Sequence, residues 1–349
     1  MKYLISYNSI LVCLGSLFLV SLIACKKNSG QSVPGPVVYV AGSIPGINGA
    51  VPAYWKNGTL VKLSGPNKYG AAVSMTMEGT DIYIAGYTYN SPDSAVITYW
   101  KNGIATLLPN HKFPGQASGI AVSGTDIYVS GYTYNTTYSS SDEPVPTYWK
   151  DDVVDTLPVS GKYAHAMAIA VEGTDVYVAG YTFNGSFANS MYWKNGVMTS
   201  LGEGFAGTIA VSGSDVYVAG DAYPSGGGGE FIASCWKNGS PVPLSYTNPI
   251  YYPSHANAIT VSGNDVYIAG NSLDKNGSGT TVATYWKNGV PVTFDYGTAN
   301  AIFVSGSDVY VAGNIYDTTG QFVPVYWKNG IVTTLPGNGT VNAIVVVVP

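Results

Sequence analysis

Short apolar runs recur along nearly the whole chain, each broken after a few residues by glycine, asparagine or aspartate. A typical stretch reads Ala168-Ile169-Ala170-Val171, a Glu172-Gly173-Thr174 break, then Asp175-Val176-Tyr177-Val178-Ala179-Gly180. Runs this short, rich in β-branched and aromatic residues and bounded by turn formers, predict strands, and no stretch carries the spacing of an amphipathic helix. The runs also repeat. All seven tryptophans (Trp55, Trp100, Trp149, Trp193, Trp236, Trp286, Trp327) precede a lysine in one motif that returns about every 45 residues. A second motif, Val-Ser-Gly-(Thr/Ser/Asn)-Asp-(Val/Ile)-Tyr-(Val/Ile)-(Ala/Ser)-Gly, ends at Gly131, Gly220, Gly270 and Gly313, with altered copies ending at Gly86 and Gly180 and a truncated one at Gly42. Each unit thus reads as four short strands, here a to d: a small-apolar strand, the Val-Tyr-Val-Ala-Gly strand, the strand ending in Trp-Lys, and a Thr-Leu-Pro-like strand.

Four strands per repeat of this length predict an all-β fold, a seven-bladed β-propeller with four antiparallel strands per blade. The ends of the repeat series decide between a propeller and an open solenoid. The first unit has strands b, c and d but no strand a ahead of Val37, whereas Val341-Asn342-Ala343-Ile344-Val345-Val346 matches Ala299 to Val304 and then stops. Joined, the fragments make one more full blade, with the C-terminal strand pairing onto the N-terminal blade and removing an exposed edge.

The repeated residues read as scaffold. Lys-Asn-Gly between strands c and d is a type I′ hairpin signal, from which unit three departs with Lys150-Asp151-Asp152. A tryptophan buried between neighbouring units covers roughly 150–250 Å², about 4–6 kcal/mol gross at ~25 cal/mol per Å², enough to account for its recurrence. The six turn aspartates, Asp81, Asp126, Asp175, Asp215, Asp265 and Asp308, supply one carboxylate per turn rather than the clustered oxygens a calcium loop needs. They are expected to make Asx-type bonds to their own turns, and no metal is expected.

The N-terminus reads differently. Lys2 and an apolar run from Ser9 to Ala24 have the form of a signal peptide, and Leu22-Ile23-Ala24-Cys25 resembles the bacterial lipobox, in which the cysteine is lipidated before cleavage. The expected organisation is a lipoprotein signal at 1–24, lipidated Cys25 and a flexible linker at 25–36, and the propeller at 37–349. This resemblance implies lipid anchorage to the bacterial cell envelope on the extracytoplasmic side, at the outer membrane or cell surface rather than the inner membrane. Cys13 falls in the signal and Cys235 has no partner, so no disulfide framework is expected. Nucleic acid is excluded as a partner by the net charge of −5 and by basic residues that are all lysine. Without arginine, the planar bidentate fork favoured for phosphate and carboxylate is missing.

The segment from Ser190 through Tyr-Trp-Lys-Asn-Gly to Gly202, followed by Ala206 to Gly220, resembles the HAF repeat of extracellular bacterial proteins, and the Val-Tyr-Val-Ala-Gly-Tyr-Thr segments resemble bacterial SBBP propeller repeats. The likeness spans about 37–349 and implies a propeller. It rests on scaffold motifs and brings no catalytic residue. The double glycine of kelch blades and the Trp-Asp of WD40 blades are missing.

Function is expected on the face bearing the b–c and d–a connections, where long segments such as Tyr87 to Ile97, Tyr132 to Pro146, Tyr181 to Ser190, Asp221 to Ala233, Asn271 to Ala283 and Asn314 to Pro324 read as irregular loops. Directly after the strand-b glycine come Ser43, Tyr87, Tyr132, Tyr181, Asp221, Asn271 and Asn314, a polar and aromatic ring suited to sugars or to a partner's apolar anchors. Two residues on, Tyr89, Tyr134, Phe183, Tyr223 and Tyr316 continue it. His165 and His255 share one repeat position near the same rim, two units apart and with no carboxylate in their column. His111 lies in a longer d–a loop. The candidate ligand-binding set is therefore Tyr87, Tyr132, Tyr181, Asp221, Asn271, Asn314, His165 and His255, with no catalytic residue and no cofactor. The expected protein is a monomeric, non-catalytic binding or assembly module for a glycan or protein ligand. The alternative is a polysaccharide hydrolase or lyase drawing a carboxylate pair from Asp142, Glu143, Asp221, Glu230, Asp274 and Asp317.

Overall fold

The computed structural model describes residues 35–348 except 48, 64–68, 92–93, 110–113, 135–142, 160, 162, 186, 224–229, 246–253 and 275–278. Every regular element among the described residues is a strand. Unit one contributes β1 (Val37–Gly46), β2 (Gly49–Lys56) and β3 (Thr59–Lys62); unit two β4 (Gly70–Glu78), β5 (Asp81–Ser91), β6 (Ser94–Lys101) and β7 (Ile104–Leu107). Unit three holds β8 (Gly115–Ser123), β9 (Asp126–Tyr134), β10 (Pro144–Lys150) and β11 (Val153–Thr156); unit four begins with β12 (Tyr163–Glu172), β13 (Asp175–Asn184) and β14 (Phe187–Lys194). Then β15 (Val197–Ser212) leads through β16 (Asp215–Ala222), β17 (Ile232–Lys237) and β18 (Ser240–Val242) to β19 (Ser254–Ser262), β20 (Asp265–Leu273) and β21 (Thr281–Lys287). The last are β22 (Val290–Ser305), β23 (Asp308–Tyr316), β24 (Phe322–Lys328), β25 (Ile331–Thr334) and β26 (Thr340–Val347).

These strands form five antiparallel sheets, three of four strands and two of seven. The seven-stranded sheets arise because β15 and β22 each run without a break from the outer position of one unit to the inner position of the next: β15 pairs with β14 through its first half and with β16 through its second. In three other units the same connection is cut at Leu108-Pro109, Leu157-Pro158 or Leu335-Pro336, where proline cannot donate to a continuing ladder. The order β26-β1-β2-β3 places the last strand beside the first, Val38 opposite Val346 and Val40 opposite Ile344, as the incomplete terminal units predict.

Every strand a carries a bulge opposite the strand-b glycine, with the register shifting between Ala72 and Ser74, Ala117 and Gly119, Ala166 and Ala168, and at equivalent places in the other units. The glycine is required by close approach. A Cβ on Gly86, Gly180 or Gly270 would sit 1.9–2.0 Å from the carbonyl oxygen of Ala71, His165 or His255. All seven tryptophans are buried, each against the preceding unit: Trp149 packs with Tyr83, Ala85, Ile97 and Leu108. Among the described residues, Trp55 also donates Nε1–H to Pro336, Trp149 to Pro109, Trp193 to Pro158 and Trp286 to Ser245, all carbonyls of the preceding d–a connection, at 2.8–3.1 Å. The indole is therefore both filler and hook between neighbouring units.

The turn aspartates do not make the Asx-type bonds expected of them. Each reaches instead to its own unit's c–d hairpin, Asp126 to Lys150 alone and the other five to both lysine and asparagine. Asp175 accepts Asn195 Nδ2–H at 2.7 Å and pairs with Lys194 at 2.8 Å, while Asn195 Oδ1 accepts the Val176 amide at 2.8 Å and Lys194 lies 5.1 Å above the Tyr177 ring. The asparagines hold φ of 46–51° and the glycines after them 78–85°, the paired positive values of a type I′ turn. The clamp thus ties the two hairpins of one face together. In unit three Asp151 keeps this φ, at 52°, and accepts the Ile127 amide at 3.0 Å, but Asp152 does not share the glycines' positive φ. The departure foreseen for that turn is confined to its second position.

Asp151 cannot donate to Asp126 as the asparagines do to their aspartates, so this clamp lacks the amide bond of the others and relies on the Lys150–Asp126 pair at 2.7 Å. Asp151→Asn is expected to raise the melting temperature by roughly 1–3 °C, the scale on which one modest interaction moves a chain of this size. A thermal melt of the variant beside the unaltered chain is the measurement.

Candidate functional site

The positions singled out after each strand-b glycine stand on strands, not in loops. Tyr87 pairs with Ala71 in strand a and with Ile97 in strand c, so most of the segment read as an irregular loop from Tyr87 to Ile97 is ladder. The same holds from Tyr181 to Ser190, where β13 and β14 are joined by two residues. The ladder extends because the alternation does: beyond the glycine, Thr88, Thr133 and Ser272 point inward and meet Thr98, Thr147 and Thr284 through buried hydroxyl contacts of 3.2, 3.4 and 2.9 Å.

Cross-strand pairing builds two rows of candidate residues. Strand a supplies Ala71, Gln116, His165, Phe205, His255, Thr298 and Thr340; strand b supplies, opposite each in turn, Tyr87, Tyr132, Tyr181, Asp221, Asn271, Asn314 and Ser43. For His165, Phe205 and His255 the strand-a residue also touches the strand-b residue of the unit before. His165 meets Tyr132 edge-on at 4.5 Å between ring centroids and stacks on its own partner Tyr181 at 5.1 Å, which in turn meets Phe205 at 4.8 Å. A second storey stands edge-on to the first, with Tyr89, Tyr134 and Phe183 each 5.6–5.7 Å from Tyr87, Tyr132 and Tyr181. Phe231 extends the sector from Phe205 to Tyr223, at 5.3 and 4.7 Å.

The same adjacency joins Asp221 to His255. Asp221 Oδ2 lies 2.7 Å from His255 Nδ1, and its Oδ1 accepts the Ala256 amide at 3.1 Å. The two histidines are not brought together, but a carboxylate stands beside one of them, which the separate columns of the repeat concealed. Asn271 is half-buried, with Oδ1 3.5 Å from Asn257 Nδ2. Asn314 and Ser43 are buried, and Asn314 is spent on the backbone, accepting the Val341 amide at 3.1 Å and donating to the Gly339 carbonyl at 2.7 Å. Asp317 is consumed within its own turn by Thr319 and Gln321; Asp274 is buried, Glu230 exposed and Glu143 half-buried. Cys25, His111 and Asp142 lie outside the described residues. Among the described residues no group of three potential metal ligands occurs.

Beneath the rows, strands a of all seven units line one cavity of about 450 Å³. The bulged residues face it: Val73, Ser118, Met167, Gly207, Asn257, Asn300 and Asn342. The three asparagines each reach to the next strand a, donating to the carbonyls of Ala299, Val341 and Ala72 at 2.7–3.0 Å. Their recurrence is visible in the sequence as Asn-Ala-Ile after an apolar residue; their role in bridging units is not.

Environment separates the titrations. Burial raises the phenol pKa of Tyr181 and, with Tyr89 beside it, of Tyr87, and burial lowers that of His165. The hydrogen bond that His255 donates to Asp221 raises its pKa above the ordinary 6.5. The folded state therefore binds this proton more tightly than the unfolded chain. The resulting stability is fully present below pH about 6.5 and is lost as pH rises through the raised value. His165 works in the opposite sense: its contribution is present above about 6.5 and is lost as pH falls through the lowered value. Melting temperatures between pH 5 and 9 are expected to show a decline on the alkaline side of 6.5 that His255→Gln abolishes.

No family model matches the chain, and no curated protein matches it. Among solved structures, the chain is similar to the β-propeller domain of the Trilobed protease from Pyrococcus furiosus, described as having an open velcro topology, at 9% identity and a TM-score of 0.50, over 88% of this chain and 96% of that one. It is also similar to the tricorn protease at 8% identity and a TM-score of 0.47, over 91% of this chain and 36% of that one, so it spans about a third of that protein's length. The antiparallel sheets, the inner strands around one cavity and the Trilobed likeness define a β-propeller fold. In this chain β26 pairs with β1, joining the ends of the repeat series.

Proposed function

We propose that this protein is a cell-envelope lipoprotein whose repeats close into a seven-bladed propeller and whose strand-borne mouth binds a glycan or protein ligand without catalysis. Two observations support the blade count. Dividing β15 and β22 at their changes of partner leaves seven four-stranded arrays, and seven strands a share one cavity. The observation that carries the binding reading is the pair of rows: flat aromatic faces beside the Asp221–His255 pair, all fixed on ladders, where little side-chain freedom remains to be lost on binding. The first test is a pull-down from envelope extracts. Tyr132→Ala and Asp221→Ala are expected to weaken capture at least about thirtyfold, the range of interface hot spots. Variants of the Lys-Asn-Gly clamps should lose stability and keep the ligand. Loss of ligand in the clamp variants alone refutes the assignment of the face.

The anchor follows from Leu22 to Cys25, the one lipobox-like signal in the chain. Cys25→Ala is expected to abolish metabolic lipid labelling and membrane retention; persistent labelling refutes the anchor.

A further inference from the structure

The mouth divides into sectors of different chemistry, and the division narrows the ligand. On one side Tyr132, His165, Tyr181 and Phe205 form a continuous aromatic path with centroid separations of 4.5–5.1 Å. Phe205 is also the cross-strand partner of Asp221, so it and His255 flank the same carboxylate. Both oxygens of Asp221 are engaged, one by His255 Nδ1 and the other by the Ala256 amide. His255 is thereby held with its Nε2 edge as the remaining polar group of the pair; among the described residues nothing pairs with that atom, and the side chain is 37% exposed.

Charge narrows it further. Besides tyrosines, the ionisable groups of the fourteen row positions are Asp221 and two histidines, one paired with Asp221 and the other pushed towards neutrality by burial. Neither row contains a lysine, and the chain contains no arginine. An acidic ligand would be desolvated here without a cation to receive it. A ligand with a flat apolar face and an edge of neutral hydroxyls matches both sectors: ring carbons cover aromatic carbon, and a hydroxyl donates to, or accepts from, Nε2. The cavity below, about 450 Å³, falls in the size range of small-ligand pockets. Its asparagines are already committed to neighbouring carbonyls, which leaves the polar groups of the rows, His255 Nε2 among them, to meet hydroxyls.

Building on the mouth-binding reading above, we propose that the ligand is a neutral carbohydrate, one sugar ring lying on the Tyr181–Phe205 sector with a hydroxyl on His255 Nε2 and Asp221 acting as the positioning residue for that imidazole. The test uses the full chain in detergent on an array of neutral oligosaccharides (gluco-, manno-, xylo- and galacto-configured) and acidic ones (uronate and sulfated), with the envelope pull-down in parallel. Neutral members are expected to bind. Tyr181→Ala and His255→Ala should each weaken that binding at least tenfold. Tyr181→Leu, which keeps apolar volume without a flat face, guards against loss of fold and should behave as Tyr181→Ala. Asp221→Asn should weaken binding and also bring the His255 titration, followed by NMR, back towards its ordinary value; a merely structural aspartate would not move that titration. Binding confined to acidic members, or a silent array beside a pull-down that still depends on the mouth residues, overturns the neutral carbohydrate and leaves mouth binding standing. Neutral binding that ignores every mouth substitution, or silence in both assays, overturns both.

Discussion

A chain lacking residues 341–349 is expected to melt at least about 10 °C below the full chain and to aggregate on standing. The deletion removes β26, whose Val341, Ala343, Ile344, Val345 and Val346 are all buried. At about 1.5–3 kcal/mol for each large aliphatic side chain, the three valines and the isoleucine alone amount to roughly 6–12 kcal/mol, comparable with the whole stability of an ordinary domain. The loss does not end there. Without β26, β1 is left with bare amides and carbonyls along one side, and Asn300, Asn314 and Trp55 lose or loosen partners that lie in or just before the strand. An exposed, flat, apolar edge of that kind pairs readily with a second chain. Calorimetry and light scattering read both effects, and an unchanged melting curve would refute the proposed closure of the ring.

Gly270→Ala is expected to cost more than its single methyl group implies, about 2–3 kcal/mol or more on the scale of overpacked cores. The added Cβ would lie 1.9 Å from the His255 carbonyl oxygen and 3.1 Å from the Ala256 Cα, both backbone atoms of the bulged strand. Neither can swing aside as a side chain could. Relief requires β19 to move away from β20, which carries His255 and the Ala256 amide away from Asp221. The variant should therefore lose the raised His255 titration together with thermal stability. A surviving Asp221–His255 bond in NMR, with native melting, would show that the bulge accommodates the methyl.

The contrast between these two variants separates what could be read from the residues alone from what could not. The repeat, the four strands of each unit and the terminal strand exchange were legible because Trp-Lys-Asn-Gly and Val-Tyr-Val-Ala-Gly recur at fixed intervals and the first and last copies are complementary. The tryptophans were rightly placed between units. The turn aspartates were not, because their partners, lysine and asparagine, lie about 20 residues away across a second hairpin, whereas an Asx bond is the local alternative a sequence shows. The b–c segments were read as loops because the repeat motif stops at its glycine; the Thr88–Thr98 and Thr133–Thr147 pairs that prolong the ladder look like ordinary polar residues. The Asp221–His255 contact was hidden for a further reason: the two occupy different columns of the repeat, and only the neighbouring of consecutive units brings those columns together.

The strand-borne rows bear on how such a molecule changes over generations. Each address stands one residue beyond an obligatory glycine, on a ladder fixed by the hydrogen bonds of its own sheet, while the clamps that hold the unit together gather at the opposite end of the same strands. A new side chain at Tyr132 or Asn271 alters the mouth without asking the backbone to adopt a new path. Specificity can then be rewritten one letter at a time, and duplication of a unit multiplies the letters available. The buried Asn314 and Ser43 mark where that freedom ends: beside the seam Asn314 is conscripted to hold the backbone of the closing strand and Ser43 is enclosed, and the alphabet contracts.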